Sequence, residues 1–374
     1  MKRRVLLELA CLAVAMDAAL ALGQASPGQT SVFTTQAPLV IVPALVRTKA
    51  GDLLFTLTAN DFELTDDGIP QKLTLEEDTG SEPLALVVVV ESGGAGAREL
   101  DRLGHLGSML ATVVGGVPHK IAVVAFDSRP SLVENFTTQI DAAASAVVAL
   151  KQGDNDAAIL DSLGFAVDLL RDQPPEYRRA ILLVSETLDR GSRLTLEEAV
   201  RALSDTNTAI YSIGFSTAKS EAAHYASREL PTKPKGWGFE NKYPNPPDGC
   251  MGKDPEPDPD GTQHKLAQAY DCLGQLAPPL LLAKTAAIAA TDGLRRNVPE
   301  TVAHLTGGEY FKLTNEKSLD RSLLTIANHL PNRYVLSFQP QAPHPGLHVI
   351  ALRAPGYADL DVTARKSYWA SASH

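Results

Sequence analysis

The chain has 374 residues, 44% of them hydrophobic and 21% charged, with a formal net charge of −10. That size and balance fit a globular protein of about two domains and exclude a disordered chain, a coiled coil and a collagen-like repeat. Acidic residues outnumber basic ones by 44 to 34. Nucleic acid is therefore not expected as a partner, because the phosphate backbone is bound through a basic face.

Residues 1–23 read as an export signal. Lys2, Arg3 and Arg4 make a basic start, residues 5–22 are mostly Leu, Ala and Val, and Ala21, Gly23 and Ala25 suit cleavage. Glu8 and Asp17 interrupt the apolar stretch. A charge at mid-bilayer costs at least ~2.5–3.5 kcal/mol, so a transmembrane helix is not expected here. Cys11 raises a lipoprotein reading, but Glu8 stands where a lipobox requires an aliphatic residue. No other run reaches about 20 apolar residues. The processed chain is expected to be periplasmic or secreted and not integral to a membrane. Its two remaining cysteines, Cys250 and Cys272, are expected to pair in an oxidising compartment, with two separate thiols as the alternative.

Residues 24–36 are polar and read as a flexible leader. Residues 37–82 form a small β unit, with a turn at 49–52 and an Asp-Gly hairpin turn within Asp66-Asp67-Gly68-Ile69-Pro70. The period then changes. Residues 84–90, 120–126, 180–185 and 209–215 are continuous apolar runs, as strands buried on both faces require. Helical patterns cover 97–114, 138–150, 157–171 and 196–203, and 131–136 reads as an edge strand. Strands alternating with helices predict right-handed crossovers and a mainly parallel sheet spanning 83–330.

Residues 216–279 break this rhythm and read as an insertion. Ten of the chain's 25 prolines lie there, a density that sustains neither helix nor central strand. A helix is expected at 263–275, with Cys250–Cys272 as a staple contributing about 3 kcal/mol in the chain-entropy model. The acidic run 254–261 reads as a solvated spacer, because its prolines and the absence of a following bidentate glutamate do not suit a calcium loop. Trp237, Phe239 and Tyr243 either contact a partner or pack the insertion onto the core. Helices are expected again at 282–290, 299–305 and 316–330. A C-terminal β segment at 331–369 is expected to pack with the N-terminal unit, since each alone is too small to bury a core.

Three stretches carry a resemblance to a known family. They are Asp61-Phe62-Glu63-Leu64-Thr65-Asp66-Asp67-Gly68, Ile181-Leu182-Leu183-Val184-Ser185-Glu186, and Gly307-Gly308-Glu309-Tyr310-Phe311 followed by Arg333-Tyr334-Val335-Leu336. In this order they resemble the von Willebrand factor A-related exported proteins of acidobacteria. The resemblance implies an α/β fold with a von Willebrand A-like (Rossmann-like), mostly parallel sheet flanked by helices, plus a β module built from both chain ends. It also implies a non-enzymatic, protein-binding role. The Pro-rich insertion has no counterpart in it.

The resemblance brings a metal-ion-dependent adhesion site into question. Such a site uses Asp-x-Ser-x-Ser on one loop, Thr on a second and Asp on a third, because a hard divalent ion wants six oxygens. Here Glu91 stands at the first aspartate, Gly93 and Ala95 at the serines, Ala157 (or Asp156, with a one-residue slip) at the threonine, and Glu186 at the last aspartate. Three oxygen donors are lost. Two carboxylates are lengthened, against Mg–O distances of about 2.0–2.1 Å that tolerate little error. The site is therefore read as degenerate, with no cofactor and no conventional Mg²⁺. Two readings of the remainder stay open. Glu91, Asp156, Glu186 and Asp189 converge as an acidic cluster for Ca²⁺ or a basic partner group, or they are solvated carboxylates on a retained scaffold.

Other chemistry is not supported. Gly94-Ala95-Gly96-Ala97-Arg98-Glu99 lacks the third glycine of a dinucleotide fingerprint. No phosphate-loop lysine, nucleophile elbow or His-Glu-x-x-His pattern is present. His344 and His348 are four apart, but Pro345 and Gly346 prevent a helix from aligning them, so they read as loop or strand residues and not as ligands. The expected function is an exported protein-interaction module whose envelope or extracellular partner docks at the carboxyl ends of the strands. Metal-dependent adhesion and an unrecognised hydrolase are the alternatives.

Overall fold

Apolar runs bounded by glycine and proline become strands in the computed structural model, which describes residues 39–76, 82–216, 297–341 and 344–370. The chain opens with β1 (Val40–Thr48), β2 (Glu63–Asp66), β3 (Ile69–Gln71) and β4 (Thr74–Glu76). An alternating series follows: β5 (Leu84–Glu91), α1 (Gly104–Val114), β6 (His119–Phe126), β7 (Pro130–Thr137), α2 (Ile140–Val148), α3 (Ile159–Arg171), β8 (Arg178–Glu186), α4 (Leu196–Asp205) and β9 (Ala209–Phe215). The last described part holds α5 (Val298–Thr306), β10 (Tyr310–Lys312), α6 (Glu316–His329), β11 (Tyr334–Phe338), β12 (Gly346–Arg353), β13 (Leu360–Ala364) and β14 (Ser367–Ala370).

The signal at 1–23, the leader at 24–36 and the insertion at 216–279 beyond its first residue lie outside the described residues. So do Cys250, Cys272, Trp237, Phe239, Tyr243 and the helices read at 263–275 and 282–290.

A six-stranded sheet ordered β10-β9-β8-β5-β6-β7 forms the centre. All its pairings are parallel except that of β7, which runs antiparallel at one edge. Every residue of β5 is buried, as its unbroken apolar run requires of a central strand. Alternation along β5 divides the core in two. Leu84, Leu86, Val88 and Val90 pack with Leu106 and Leu110 of α1, Val147 of α2 and Leu323 of α6. Ala85, Val87 and Val89 pack with Leu163 and Val167 of α3, Leu203 of α4 and Val302 of α5. The fold is thus α/β: a mostly parallel, von Willebrand A-like sheet flanked by helices.

The β module is built from both chain ends. β1 lies between β11 and β13 in a four-stranded sheet, with Val42 opposite Leu336 and Val46 opposite Val362. A second four-stranded sheet, β14-β12-β2-β3, sets Leu64 opposite Leu352. Val42, Phe62, Leu64, Leu336, Phe338, Ile350 and Tyr368 form a common core. Phe62 meets the Tyr334 ring edge-on at 5.4 Å.

Buried or half-buried arginines join the module to the central sheet. Arg365 donates to the Ile41 carbonyl, Asn207 Oδ1 and Ser204 Oγ (3.4, 3.1 and 3.2 Å). Arg47 of β1 pairs with Glu309, immediately before β10 (3.3 Å). The described residues accordingly fall within one compact unit.

One local expectation changes. The helix read at 97–114 begins as two 3-10 turns, Gly96–Arg98 and Leu100–Leu103, and becomes α-helical only at Gly104. Its first turn is diverted because the Gly96 N–H donates to the Glu91 carboxylate instead of extending a helix (2.9 Å). Tyr368 and Trp369 lie in a fourteenth strand, β14, opposite His348 and Leu347.

Deleting residues 331–374 removes both neighbours of β1 and half of its core. Limited proteolysis should then cleave 40–76 rapidly, whereas the full chain protects it. Leu336→Ala, at a fully buried site, should cost about 2–5 kcal/mol in a denaturant melt. Equal protection of 40–76 in the truncated chain would show that the N-terminal unit stands alone.

Candidate functional site

β5 and β8 are neighbours, and each ends in a glutamate. The register sets Val90 opposite Val184, so Glu91 falls level with Ser185 and Glu186 one residue beyond, both at the carboxyl edge of the sheet. Neither is exposed to solvent. Glu91 is held at both oxygens, Oε2 accepting from the Glu186 N–H (2.6 Å) and Oε1 from the Gly96 N–H (2.9 Å). The loop after β5 thus folds back over its own strand end. A Cβ on Gly96 would fall 2.3 Å from the Glu91 carbonyl oxygen, so this close approach requires glycine.

The positive charge between these carboxylates comes from the chain. Arg190 follows Glu186 by four residues, and its Nη2 pairs with Glu186 Oε1. Three-quarters of the Arg190 side chain is buried. Its guanidinium lies against Gly94, where any Cβ would collide with Nη2. The Arg190 main chain is fixed in turn by a two-way bridge to Ala157, N–H to carbonyl at 3.1 and 2.8 Å.

Around this pair the remaining predicted positions fall into place sterically. Gly93 has no room for a serine, since a Cβ would lie 2.4 Å from the Asp156 carbonyl oxygen and 2.7 Å from Asp127 Cβ. Ala95 faces into the core with α1, α2 and α6. Ala157 is fully buried in the opposite core. The four carboxylates do not gather as one cluster. Asp189 turns to the start of α3, where Oδ1 accepts from the Leu160 N–H (3.1 Å) and the Ser192 hydroxyl (2.6 Å). Asp156 is exposed. Only Glu91 and Glu186 come together.

Asp156 belongs instead to an outer acidic rim whose other members, Asp127 and Asp154, are not among the residues singled out from the sequence. Asp127, at the end of β6, accepts from the Asp154 N–H through Oδ2 (3.2 Å) and from the Arg129 N–H through Oδ1 (3.1 Å). Asp154 accepts from the Ser128 hydroxyl and N–H and from the Asp156 N–H. These bonds, led by the Ser128 hydroxyl, hold Asp154 below the usual carboxylate range. Asp154 and Asp156 are exposed and form the negative surface of this edge. The two buried serines here, Ser92 and Ser185, donate their hydroxyl protons to the carbonyls of Phe126 and Glu186 (3.1 and 3.0 Å).

Side chains of types able to ligate a metal ion meet elsewhere, in the β module, where donor atoms of Asp67, His344 and His348 lie within 4.8 Å of one another.

No family model and no curated relative matches the chain. Among solved structures it is similar to proximal thread matrix protein 1 from the mussel byssus (18% identity over 40% of each chain, TM-score 0.32). It is also similar to the SpRpn10 VWA domain (13% identity over 36% of this chain and 76% of that one, TM-score 0.29). A third is the conserved hypothetical protein BatB from Bacteroides thetaiotaomicron (12% identity over 66% and 99%, TM-score 0.33). The match to the mussel protein therefore spans 40% of that protein's length. Superpositions of this size add nothing to what the strand order shows.

Burial pushes the Glu91 carboxyl up to about 7, and the neighbouring Glu186 charge adds to this, while the Glu186 and Gly96 N–H groups and Arg190 pull it down. The folded chain then binds a proton that the unfolded chain, with a glutamate near 4.3, releases. Stability should fall as pH rises through this window, by up to about 3 kcal/mol, and level off above it. Glu91→Gln should flatten that part of the urea-melt pH profile. An unchanged slope would show that Glu91 carries its charge throughout.

Proposed function

We propose that this chain is a non-enzymatic, exported protein-interaction module of the von Willebrand A type whose adhesion edge is closed by its own cation, the Arg190 guanidinium, in place of a divalent ion. The observation that carries this reading is the pairing of Arg190 with buried Glu186 beside buried Glu91. A metal at this place would have to displace a guanidinium whose main chain is bridged to the second loop. Bringing both hydroxyls back would need side chains at Gly93 and Ala95, where one position is sterically closed and the other faces the core.

Because Glu91 and Glu186 are buried and countered, partner recognition passes to the exposed acids Asp154 and Asp156. A partner with basic or neutral groups fits this edge, and its association should weaken as salt screens the attraction. Residues 1–23 support placement in the periplasm or outside the cell. Among the described residues, no helix is long and apolar enough to cross a membrane.

Thermal melts of the processed protein should not shift with Mg²⁺ or Ca²⁺. Binding with a dissociation constant a hundredfold below the ion concentration would add ~2.7 kcal/mol, a visible shift. Arg190→Ala should lose about 3–5 kcal/mol, because it leaves Glu186 buried without its partner, and added Ca²⁺ should restore part of that loss. Capture of a partner from cell-envelope extract should survive chelation and fall with the double substitution Asp154→Lys, Asp156→Lys. A metal-dependent rise in the unaltered protein, abolished by Glu91→Gln, would overturn the reading.

A further inference from the structure

The second cluster of chemistry-bearing residues sits in the β module, away from the adhesion edge. Its origin is the hairpin between β2 and β3. Asp67 and Gly68 both take positive φ (48° and 81°), which makes the tight two-residue turn expected of Asp-Gly. β12 crosses next to β2, with Ile350 opposite Asp66, and this brings His348 level with the turn. The Asp67 N–H donates to the Val349 carbonyl (2.9 Å), and Asp67 Oδ1 accepts from the Val349 N–H (3.0 Å), so the backbone pins the aspartate.

The free oxygen, Asp67 Oδ2, lies 3.1 Å from His344 Nε2 and 3.0 Å from His348 Nδ1. Asp66 Oδ1 is a further 3.1 Å neighbour of His348 Nδ1. The outer partners follow the pattern of a metal centre. The far nitrogen of the His348 ring, Nε2, faces the His344 carbonyl at 2.7 Å, and the Tyr368 hydroxyl donates to Asp66 Oδ2 at 2.8 Å. Ligating histidines usually direct their second nitrogen to a carbonyl or carboxylate, which fixes the tautomer and ring orientation. His348 is clasped between the rings of His344 (4.0 Å) and Tyr368 (4.6 Å).

We propose that Asp67, His344 and His348 form a binding site for a borderline-soft divalent transition ion of the Zn²⁺ class, with Asp66 and Tyr368 orienting it. Two imidazoles and one carboxylate suit Zn²⁺ and its neighbours better than Mg²⁺ or Ca²⁺, which want an all-oxygen shell. Four-coordinate bonds of about 2.0–2.1 Å place neighbouring donors roughly 3.3 Å apart, close to both carboxylate-to-ring distances. The two imidazoles are stacked at 20° to one another, so His344 must turn its ring before both nitrogens aim at one ion, and its side chain, 43% exposed on the approach to β12, is the one able to turn. That exposure leaves a fourth position open to water or to a ligand from a partner. The entering ion replaces the hydrogen bonds now linking the rings to Asp67, and any proton held there is released to solvent.

The test is titration of the purified full chain with Zn²⁺ against a chromophoric chelator, alongside the visible spectrum of the Co²⁺ form. One equivalent should bind, and Co²⁺ should give the intense bands of four-coordinate nitrogen and oxygen ligation. His344→Ala, at a half-exposed position that leaves the strand pairing intact, should weaken binding at least tenfold and remove the bands. His348→Ala removes a buried ring, so its loss of binding counts only if its circular dichroism matches the unaltered chain. Absence of binding, or binding that His344→Ala leaves intact, overturns the proposal and leaves the cluster as a hydrogen-bonded clasp.

Discussion

Two glutamates buried side by side at the ends of adjacent parallel strands would repel each other in a poorly solvated place, and one guanidinium makes the arrangement tolerable. Everything at the carboxyl edge follows from this pairing of Glu186 with Arg190 beside Glu91. The loop after β5 must bend tightly enough for the Gly96 N–H to reach Glu91, the second loop must bridge to Arg190, and the glycines at 93 and 94 must leave space for a carbonyl and a guanidinium. Removing one member of such a set is expensive because the others stay buried without compensation.

The same solution recurs where the central sheet meets the β module. Glu309, at the start of β10, is approached by His329 from the end of α6 (2.8 Å), by Arg47 of β1 (3.3 Å) and by Arg333 ahead of β11 (3.8 Å). Arg333 also donates to the Gly307 carbonyl and stacks its guanidinium over the Tyr211 ring. Apolar burial supplies the cohesion of each core, but these charges fix how the sheet holding β1 and β11 sits against β10 and α6. Directional bonds can specify an angle; apolar surfaces alone specify it poorly.

The central strands were legible because a strand buried on both faces leaves an unbroken apolar run, and the crossing helices showed their own period. The pairing of the chain ends was also legible, since neither segment could bury a core by itself. What escaped was geometry that depends on loops. Arg190 carries a signal in its spacing of four from Glu186, but the adhesion-site pattern is defined by oxygen donors and has no place for a cation built into the chain. His344 and His348 have no helix to align them, and what brings Asp67 to them is a strand crossing and a turn nearly three hundred residues earlier in the chain. β14 is only four residues long, too short for alternation to declare itself. Asp127 gives no signal of its own, because β6 declares itself through its apolar run and not through the residue that follows it.

β1 has its own consequence for how the chain comes into being. Its two neighbours, β11 and β13, are made nearly three hundred residues after β1 itself. At ~5–20 residues per second, the stretch from Val40 to Val46 waits roughly 15–60 s before either partner exists. Through that interval it is an apolar, unpaired strand edge, the kind of segment that captures other chains. Closing so long a loop is also slow in itself, because the contacts that reward it come only after the entropy has been lost. The central sheet, by contrast, can assemble from neighbours in sequence. Folding of this molecule should therefore run from the middle outward, and the segment most in need of a chaperone is the one that ends up paired along both edges, between two strands in the module.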